Sequence, residues 1–291
     1  MRLRSLLYVP AHAARFLAKA HERGADAIIL DLEDAVPEAD KDLARAGLSA
    51  AVPAVGRNGA AAFVRVNAGP RQAADAFTAC RAGAIGLVIP KAADPAALTA
   101  LSAALSVEEQ RLGRPAMSFI LLVEDPAALL DARMLARQPR VLALALGSED
   151  FALALGADPR PDVLRHPKLL LHYAAKAEGR ISLGLLRSIA DYTDLDALAA
   201  AASEARAHGF DGATCVHPSA VAALNQAFAP TDAERDWAAR VLSRAAHETG
   251  AFAFEGRMVD APVLARARRI VQSAADESAT RPSSESGSDS R

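Results

Sequence analysis

The sequence predicts an α/β fold, a closed (β/α)8 TIM barrel with a C-terminal helical extension, and three observations support this prediction. Short β-branched or leucine-rich runs alternate with alanine-rich stretches of helical composition. The runs number eight. A chain of 291 residues can form one domain of barrel size at least as readily as two smaller domains. Eight alternations in this length fit a closed barrel better than an open sheet.

The predicted strands are apolar runs of six or seven residues, and helical stretches lie between them. Asp94-Pro95 and Asp125-Pro126 each combine an N-cap residue with proline at the first helical position, and His208-Gly209 supplies a glycine stop. The strands are Ser5 to Pro10, Ala27 to Glu33, Ala61 to Asn67, Gly86 to Lys91, Ser118 to Glu124, Val141 to Gly147, Arg180 to Leu186 and Gly212 to His217. The clearest helices are Pro37 to Ala54, Pro95 to Leu112, Pro126 to Gln138 and Asp194 to His208.

The alternation stops near residue 225, which divides the chain into a barrel (1–225), a helical extension (226–275) and a tail (276–291). Thr231 to Gly250 and Ala261 to Ala275 are predicted helices. The extension acts either as a flap on the barrel or as an oligomer contact. Serine, glycine and charged residues without an apolar period predict a disordered tail.

The composition fits a cytoplasmic enzyme and favours neither nucleic acid nor an anionic membrane as a partner. Lysine and arginine number 33 against 35 aspartates and glutamates, so the net charge is only −2. The two cysteines, Cys80 and Cys215, lie in surroundings that favour reduced, buried thiols. The basic start stops at Pro10, so we expect no signal peptide, and no segment has the length of a membrane span. Motifs for dinucleotide, nucleotide, serine hydrolase and structural zinc sites are absent from the sequence.

Several predicted strands end in acidic residues. The run Ala27-Ile-Ile-Leu-Asp-Leu-Glu-Asp34 reads as a strand buried on both faces with three acids at its carboxyl end, where α/β enzymes keep their pocket. Because side chains alternate along a strand, Asp31 and Glu33 share a side and Asp34 is left as the helix cap.

Two later strand ends supply the candidate metal ligands, Glu124 and Asp150. Two carboxylates plus water commonly hold Mg2+ beside an anionic substrate. Asp150 has an equally weighted alternative, because Ser148 as a cap followed by acids is also typical of a helix N-terminus. For Glu124 the alternative is weaker, since Asp125 already serves as the cap and Glu124 would be an uncompensated acid.

Arg65 lies inside an otherwise apolar strand, where an unpaired guanidinium would be costly. It either pairs with an internal acid, such as Asp31, Glu33 or Asp34, or binds a substrate carboxylate in bidentate fashion. The two roles are of comparable weight and compatible with each other.

Lys91 follows Ile89-Pro90 at another strand end. It is a Schiff-base nucleophile, a second anion ligand or a solvated lysine, and the nucleophile is least favoured because imine chemistry needs no surrounding carboxylates. His217 is interpreted as a hydrogen-bonded histidine at a strand end rather than as a base.

The motifs in their order along the chain resemble the citrate lyase β-subunit-like family of the aldolase and citrate lyase superfamily. The resemblance runs from about Arg4 to Val271, and the combination is specific although each motif alone is weak. The motifs are Arg4-Ser-Leu-Leu-Tyr-Val-Pro10, Ile29-Leu-Asp-Leu-Glu-Asp-Ala-Val36, Val64-Arg-Val-Asn67, Val88-Ile-Pro-Lys91, Val123-Glu124, Leu146-Gly-Ser-Glu-Asp150, Gly209-Phe-Asp-Gly212, Val216-His-Pro218 and Gly256-Arg-Met-Val-Asp260.

The resemblance implies a barrel that assembles as a trimer or hexamer. It implies that the residues matching Glu124 and Asp150 hold Mg2+ and that Arg65 binds the carboxylate of a 2-oxoacid. Asp260 matches an acid that can reach a neighbouring subunit's active site. Further substrate contacts are assigned to Asp31, Glu33, Lys91, Gly147 and Ser148.

The family chemistry is cleavage or formation of a carbon–carbon bond between a 2-oxoacid and an acyl-thioester enolate. The resemblance therefore implies a lyase for citryl-CoA- or malyl-CoA-type substrates, with an acyl-CoA as partner. Mg2+ chelated by a substrate's carboxylate and hydroxyl lowers the hydroxyl's pKa. The proton acceptor is either Asp260 from a lid or Glu33 through water.

Two departures from the family pattern bear on the substrate. Glu124-Asp125 stands where members usually have Glu-Thr or Glu-Ser, a change that keeps the capping ability. Ala213 stands where many have lysine; if that lysine helps hold coenzyme A, Ala213 weakens the case for a CoA thioester. The alternatives are a class II aldolase on free 2-oxoacids such as pyruvate or oxaloacetate, and a catalytically silent metal- and oxoacid-binding protein.

Overall fold

The structure is a computed structural model that describes residues 1–187 and 194–280. The chain divides into two compact units, Met1–Phe228 and Ala229–Arg291. This division falls three residues beyond the boundary that the sequence suggested.

The first unit is built on one eight-stranded parallel sheet. Neighbouring strands pair in chain order from β1 to β7, and β8 pairs with β1. A backbone bridge between Leu183 and Gly212 joins β7 to β8 and closes the ring. The predicted (β/α)8 barrel is confirmed. Its strands are β1 Ser5–Pro10, β2 Ala27–Asp31, β3 Ala61–Arg65, β4 Gly86–Ile89, β5 Ser118–Val123, β6 Val141–Leu146, β7 Ile181–Leu183 and β8 Ala213–Cys215.

Strands β2 to β8 end one to three residues before their predicted carboxyl ends. At β2 the cause is visible, because the Asp31 carboxylate accepts hydrogen bonds from the backbone N–H groups of Glu33 and Ala35. The chain therefore turns directly after Asp31 rather than continuing the ladder.

Buried apolar side chains fill the barrel interior, and a second apolar layer lies between the barrel and its helices. Asp31, Arg65 and Glu124 each stand two residues beyond an interior side chain. Since side chains alternate along a strand, all three point to the opening at the carboxyl ends of the strands. The interior side chains are Leu3, Leu6, Ala27, Ile29, Phe63, Val88, Ile120, Leu122, Ala143, Ala145 and Leu183.

The prediction of a single helix from Pro126 to Gln138 is wrong, because this segment forms two short helices. The backbone leaves the helical conformation at Asp131, with φ −95° and ψ 10°. Aspartate has a low helix propensity, which suits such a break. The helices of the first unit are α1 Ala14–Ala20, α2 Lys41–Val55, α3 Gln72–Ala82, α4 Pro95–Leu112, α5 Pro126–Leu130, α6 Ala132–Ala136, α7 Ser148–Leu155, α8 Pro161–Ala177, α9 Leu195–Ala207 and α10 Ala220–Ala227.

Three smaller predictions are confirmed. Cys80 and Cys215 are buried and free. Asp94 and Asp125 cap α4 and α5 through hydrogen bonds from backbone N–H groups two or three residues ahead. His217 Nδ1 lies 2.7 Å from the hydroxyl oxygen of Ser219.

The second unit contains two helices and a hairpin. Helix α11, Asp232–Ala245, begins with a capping box between Thr231 and Glu234. Strands β9 (Phe252–Phe254) and β10 (Arg257–Val259) pair antiparallel. Helix α12 spans Ala261–Thr280. Its core joins both helices to the hairpin through Ala238, Val241, Val259 and Ala267, with Trp237 packed against them.

Three features of this unit differ from prediction. Helix α11 ends at Ala245, five residues before the predicted end at Gly250. The turn Glu255-Gly256 has positive φ at both residues, which is the backbone of a tight hairpin, in a segment predicted only as a connection. Helix α12 continues to Thr280 and so enters the predicted tail, because alanine and glutamate favour helix without any apolar period. Residues 281–291 lie outside the described residues. Across the described residues, no helix combines the length and apolar content needed to cross a membrane.

Candidate active site

Arg65 sits at the carboxyl end of β3 and is surrounded by acids from the end of β2. Its Nε and Nη2 donate to the two carboxylate oxygens of Asp31 at 2.7 and 2.6 Å. Its Nη1 lies 3.1 Å from Glu33 Oε2 and donates to Asp34 Oδ2 at 2.9 Å. The expected pairing of Arg65 with internal acids is confirmed, and a bidentate contact of this kind fixes the plane of the guanidinium.

Asp31 uses all of its accessible lone pairs on this arrangement. Each of its oxygens accepts one N–H from Arg65 and one backbone N–H from the following turn, from Glu33 or Ala35. The residue is 1% exposed. Asp31, predicted as a substrate ligand, thus orients Arg65 in this geometry.

Asp34 does not cap a helix, so that prediction is wrong. The next helical turn, starting after Pro37, has no side-chain cap, and the carboxylate of Asp34 binds Arg65 instead. It is the most exposed of the three acids around Arg65, at 66% of its side chain.

Glu33 lies between two cations. Its Oε2 faces Arg65, and its Oε1 lies 3.7 Å from Lys91 Nζ. Burial raises the pKa of Glu33 to about 7, although Arg65 and Lys91 act in the opposite direction. A carboxyl group with this pKa can both accept and donate a proton near neutral pH.

Glu124 follows β5 directly and is 6% exposed. Its Oε2 is buried and has no hydrogen-bond partner among the described residues. Burial raises its pKa to about 7, and the nearby carboxylates of Glu33 and Asp150 raise it further. A carboxylate oxygen left open in this way is the donor that a divalent cation requires.

The absence of a side chain at Gly147 leaves the space that the Glu124 carboxylate occupies. A Cβ atom built on Gly147 would lie 2.8 Å from Glu124 Oε1, so any side chain at this position would displace the carboxylate. The φ of Gly147 is ordinary, −76°, and the requirement is therefore close approach rather than backbone conformation.

Asp150 lies in the first turn of α7, and its side chain is 46% exposed. The alternative of a helix N-terminus with acids in its first turn is confirmed, but its cap is wrong: the N-cap residue is Gly147 rather than Ser148, and no side chain caps this helix. Lys91 Nζ lies 4.0 Å from Asp150 Oδ2, so Lys91 stands between Glu33 and Asp150.

The structure therefore brings most of the predicted site residues to one opening of the barrel. Across the described residues, no group of three or more His, Cys, Asp or Glu forms a metal-binding cluster. Asp260 lies in the second unit, where its Oδ1 accepts from Val263 N–H at the start of α12.

Sequence reasoning missed Tyr8. The Tyr8 ring lies beneath Arg65, and Cζ of Arg65 is 5.0 Å from the ring centroid, a distance typical of a cation–π interaction. Burial raises the pKa of Tyr8, so the hydroxyl stays protonated. Position parity could have found it, because Tyr8 stands two residues after the interior residue Leu6.

Sequence reasoning also missed Lys41. Its Nζ donates to the carbonyl oxygens of Leu32 and Glu33 at 3.1 and 2.8 Å and to Asn67 Oδ1 at 2.6 Å. Asn67 is held in turn by Asp75. A lysine at the first position of a helix opposes the helix dipole, and that signal could have marked it.

Fold and site together define a class: a (β/α)8 barrel with a carboxylate pair and a fixed guanidinium at the catalytic opening. Residues 4–218 match the sequence profile of the HpcH/HpaI aldolase/citrate lyase family. The chain belongs to this family, whose members include citrate lyase β-like proteins and enzymes acting on malyl-CoA and citramalyl-CoA.

Three relatives illustrate the range. The chain is 33% identical over 279 residues to a citrate lyase subunit beta-like protein of Mycobacterium tuberculosis, covering 93% of this chain and 95% of the relative. It is 32% identical to a (3S)-malyl-CoA thioesterase of Cereibacter sphaeroides, covering 93% and 94%. It is 29% identical to a mitochondrial citramalyl-CoA lyase of Rattus norvegicus, covering 92% and 85%.

Solved structures agree with the fold. The protein CitE of Mycobacterium tuberculosis, crystallised with magnesium, acetoacetate and coenzyme A, has a TM-score of 0.77 at 32% identity, covering 94% of this chain and 98% of that one. A citrate lyase of Burkholderia xenovorans has a TM-score of 0.82 at 21% identity, covering 94% and 92%, and this likeness supports the fold alone.

Proposed function

We propose that this chain is a Mg2+-dependent carbon–carbon lyase that cleaves, or forms, a 3-hydroxyacyl thioester of the citryl-CoA or malyl-CoA type. The products of cleavage are a 2-oxoacid and an acyl-CoA. The observation that carries the proposal is the open, buried oxygen of Glu124 beside Asp150. A relative of 32% identity crystallised with magnesium, acetoacetate and coenzyme A supports the same ligands here.

Glu124 and Asp150 fit Mg2+ because both offer carboxylate oxygen, and one of those oxygens has no other partner among the described residues. The bound ion would act as a Lewis acid that stabilises charge on the substrate oxygen destined to become a carbonyl. Glu124 would also gain the counter-charge that its burial demands.

Arg65 would bind the carboxylate of the oxoacid. Asp31 fixes the Nε and Nη2 edge, so an incoming carboxylate has to approach the Nη1 side and compete with Asp34. Because Asp34 is largely exposed, its displacement into water costs little.

Two residues remain candidates for the proton transfer. Glu33 is in place at the opening, with a pKa raised to about 7. Asp260 belongs to the second unit and would act from a neighbouring subunit, as the family resemblance suggests.

The test is turnover by purified protein with Mg2+ on a panel of 3-hydroxyacyl-CoA thioesters and the matching free hydroxyacids. We expect release of a 2-oxoacid and an acyl-CoA from at least one thioester and none from the free acids. Turnover of free acids alone would favour the aldolase alternative. Mg2+-dependent binding of oxaloacetate without any turnover would favour the silent binding protein.

A trimer or hexamer with Asp260 acting between subunits can be tested by mixing two inactive variants, Glu124→Gln and Asp260→Asn. A site that takes Glu124 from one subunit and Asp260 from its neighbour is intact in about one quarter of randomly mixed pairs, one half times one half. We expect activity to return to that level after subunit exchange. No recovery would place both residues in one subunit or remove Asp260 from the mechanism.

A further inference from the structure

Helix α8 carries a buried lysine that has no acidic hydrogen-bond partner among the described residues. Lys168 on α8 is 6% exposed, and its Nζ makes one hydrogen bond, 3.4 Å to the carbonyl oxygen of Arg187. In the described part of the chain it forms no ion pair with a carboxylate. A buried ammonium without a counter-charge is costly. Burial lowers the pKa of Lys168 only to about 8, so the group is still mostly protonated at pH 7.

His172 lies one helical turn further along α8 and faces the same pocket. It is 5% exposed, and its Nδ1 is buried without a hydrogen-bond partner among the described residues. Its ring stacks on Phe210 with centroids 4.5 Å apart. Burial lowers the pKa of His172, whereas a hydrogen bond with the backbone of His208 acts in the opposite direction.

The pocket around these two residues combines hydroxyl groups with apolar walls. Ser148, Ser182 and Thr214 contribute hydroxyl groups, and Leu171 and Leu183 contribute apolar surface. Ala213 also lines it, so the small residue at the position where many family members have lysine leaves room beside Lys168. None of Glu33, Arg65, Lys91, Glu124 and Asp150 lines this pocket.

We propose that this pocket binds a small monocarboxylate of acetate size, with Lys168 as its counter-ion and the hydroxyl groups as hydrogen-bond donors. The apolar walls suit a short alkyl group beside the carboxylate. One lysine balances one negative charge, and the nearby carboxylate of Glu149 disfavours a dianion such as phosphate. The pocket shares Ser148 with the residues to which the family resemblance assigns substrate contacts, but Lys168 is not one of them, and the proposal does not depend on the proposed function.

Binding is expected to depend on pH, because only the protonated lysine balances the anion. Above pH 8 the affinity should fall by up to about tenfold for each pH unit. The other titratable and charged groups around the pocket are Glu149 on α7, Lys176 on α8, Arg187 after β7, and His208 and Asp211 before β8.

The experiment is a titration of the protein with acetate at pH 7, with EDTA present to remove divalent metal ions. Binding is measured by the broadening of the acetate methyl resonance in proton NMR. Lys168→Met should raise the dissociation constant at least about tenfold, as expected for loss of a buried counter-ion. Lys168→Arg should restore most of the affinity. Lys19→Met, on an exposed position of α1, is the matched control and should bind acetate like the wild type.

Lys168→Met should retain Mg2+-dependent oxaloacetate binding, which locates the acetate site away from Arg65. Unchanged acetate binding in Lys168→Met, or acetate binding that is lost only in Arg65→Lys, would overturn the proposal. Phosphate that displaces acetate at lower concentration would overturn the ligand class. Should Lys168→Met fail to fold, the wild type decides, since acetate affinity that is constant from pH 7 to pH 9.5 excludes a titrating lysine.

Discussion

The buried carboxylate of Glu124 is expected to destabilise the metal-free protein, and Glu124→Gln should therefore increase its stability. The pKa of Glu124 rises from 4.5 to about 7 on folding. A shift of this size corresponds to roughly 3 kcal/mol, at 1.36 kcal/mol per pKa unit. The glutamine variant keeps the shape of the side chain and removes the charge that burial penalises.

The sign and pH window follow from the direction of the shift. Between pH 4.5 and 7 the folded protein binds more protons than the unfolded chain, so this group lowers stability as pH rises through that window. At pH 8 the penalty is nearly complete, and Glu124→Gln should gain about 3 kcal/mol at most. At pH 5 the folded carboxyl group is protonated, and the gain should fall below about 1 kcal/mol.

Urea unfolding in EDTA at both pH values measures these gains. Glu108→Gln is the matched control, because Arg111 and Arg81 lower the pKa of Glu108 to about 2 and its neutralisation should reduce stability. Addition of Mg2+ should stabilise the wild type and leave Glu124→Gln unchanged. An equal gain at pH 5 and pH 8, or no gain at either, would refute the reasoning.

Three further outcomes are expected at the same opening of the barrel. Arg65→Lys loses the planar contact with Asp31 and should weaken oxaloacetate binding by about 100-fold in calorimetry; binding within twofold of wild type would contradict this. Tyr8→Phe keeps the ring beneath Arg65 and should bind oxaloacetate like the wild type, whereas Tyr8→Leu should bind it several-fold more weakly. Lys41→Met removes two hydrogen bonds to the turn that carries Glu33 and one to Asn67, and it should lower kcat/KM about 10- to 100-fold, with partial rescue by Lys41→Arg; equal activity of both variants would leave Lys41 a structural role only.

Much of the fold could be predicted because barrel strands carry a strong local signal. A strand covered on both faces is a continuous apolar run, and all eight runs form strands. The carboxyl ends of the strands were harder to predict. The end of β2, for example, depends on hydrogen bonds that the Asp31 carboxylate accepts from the backbone N–H groups of Glu33 and Ala35. Apolar content does not report such bonds.

Some residues of the candidate site could likewise be predicted from the sequence, and others could not. Arg65 and Glu124 stood out in the sequence as charges in apolar surroundings, and the structure gives each a reason to be there. The alternative of Ser148 as a helix cap was wrong, because Gly147, which approaches Glu124 closely, takes the cap position. Lys41 and Tyr8 carry weak local signals, a cation at a helix start and position parity, but neither signal names the partner: Asn67 for Lys41 and Arg65 for Tyr8.

The two central carboxylates differ in how their oxygens are used, and this difference argues for separate tasks. Asp31 accepts four N–H groups and has no capacity left for a cation, so it sets the orientation of Arg65. Glu124 keeps one buried oxygen without a partner among the described residues, and its burial raises its pKa to about 7. A fold selected for stability alone would satisfy both groups. This difference supports the proposal that Asp31 fixes the guanidinium of Arg65 and that Glu124 binds a metal ion.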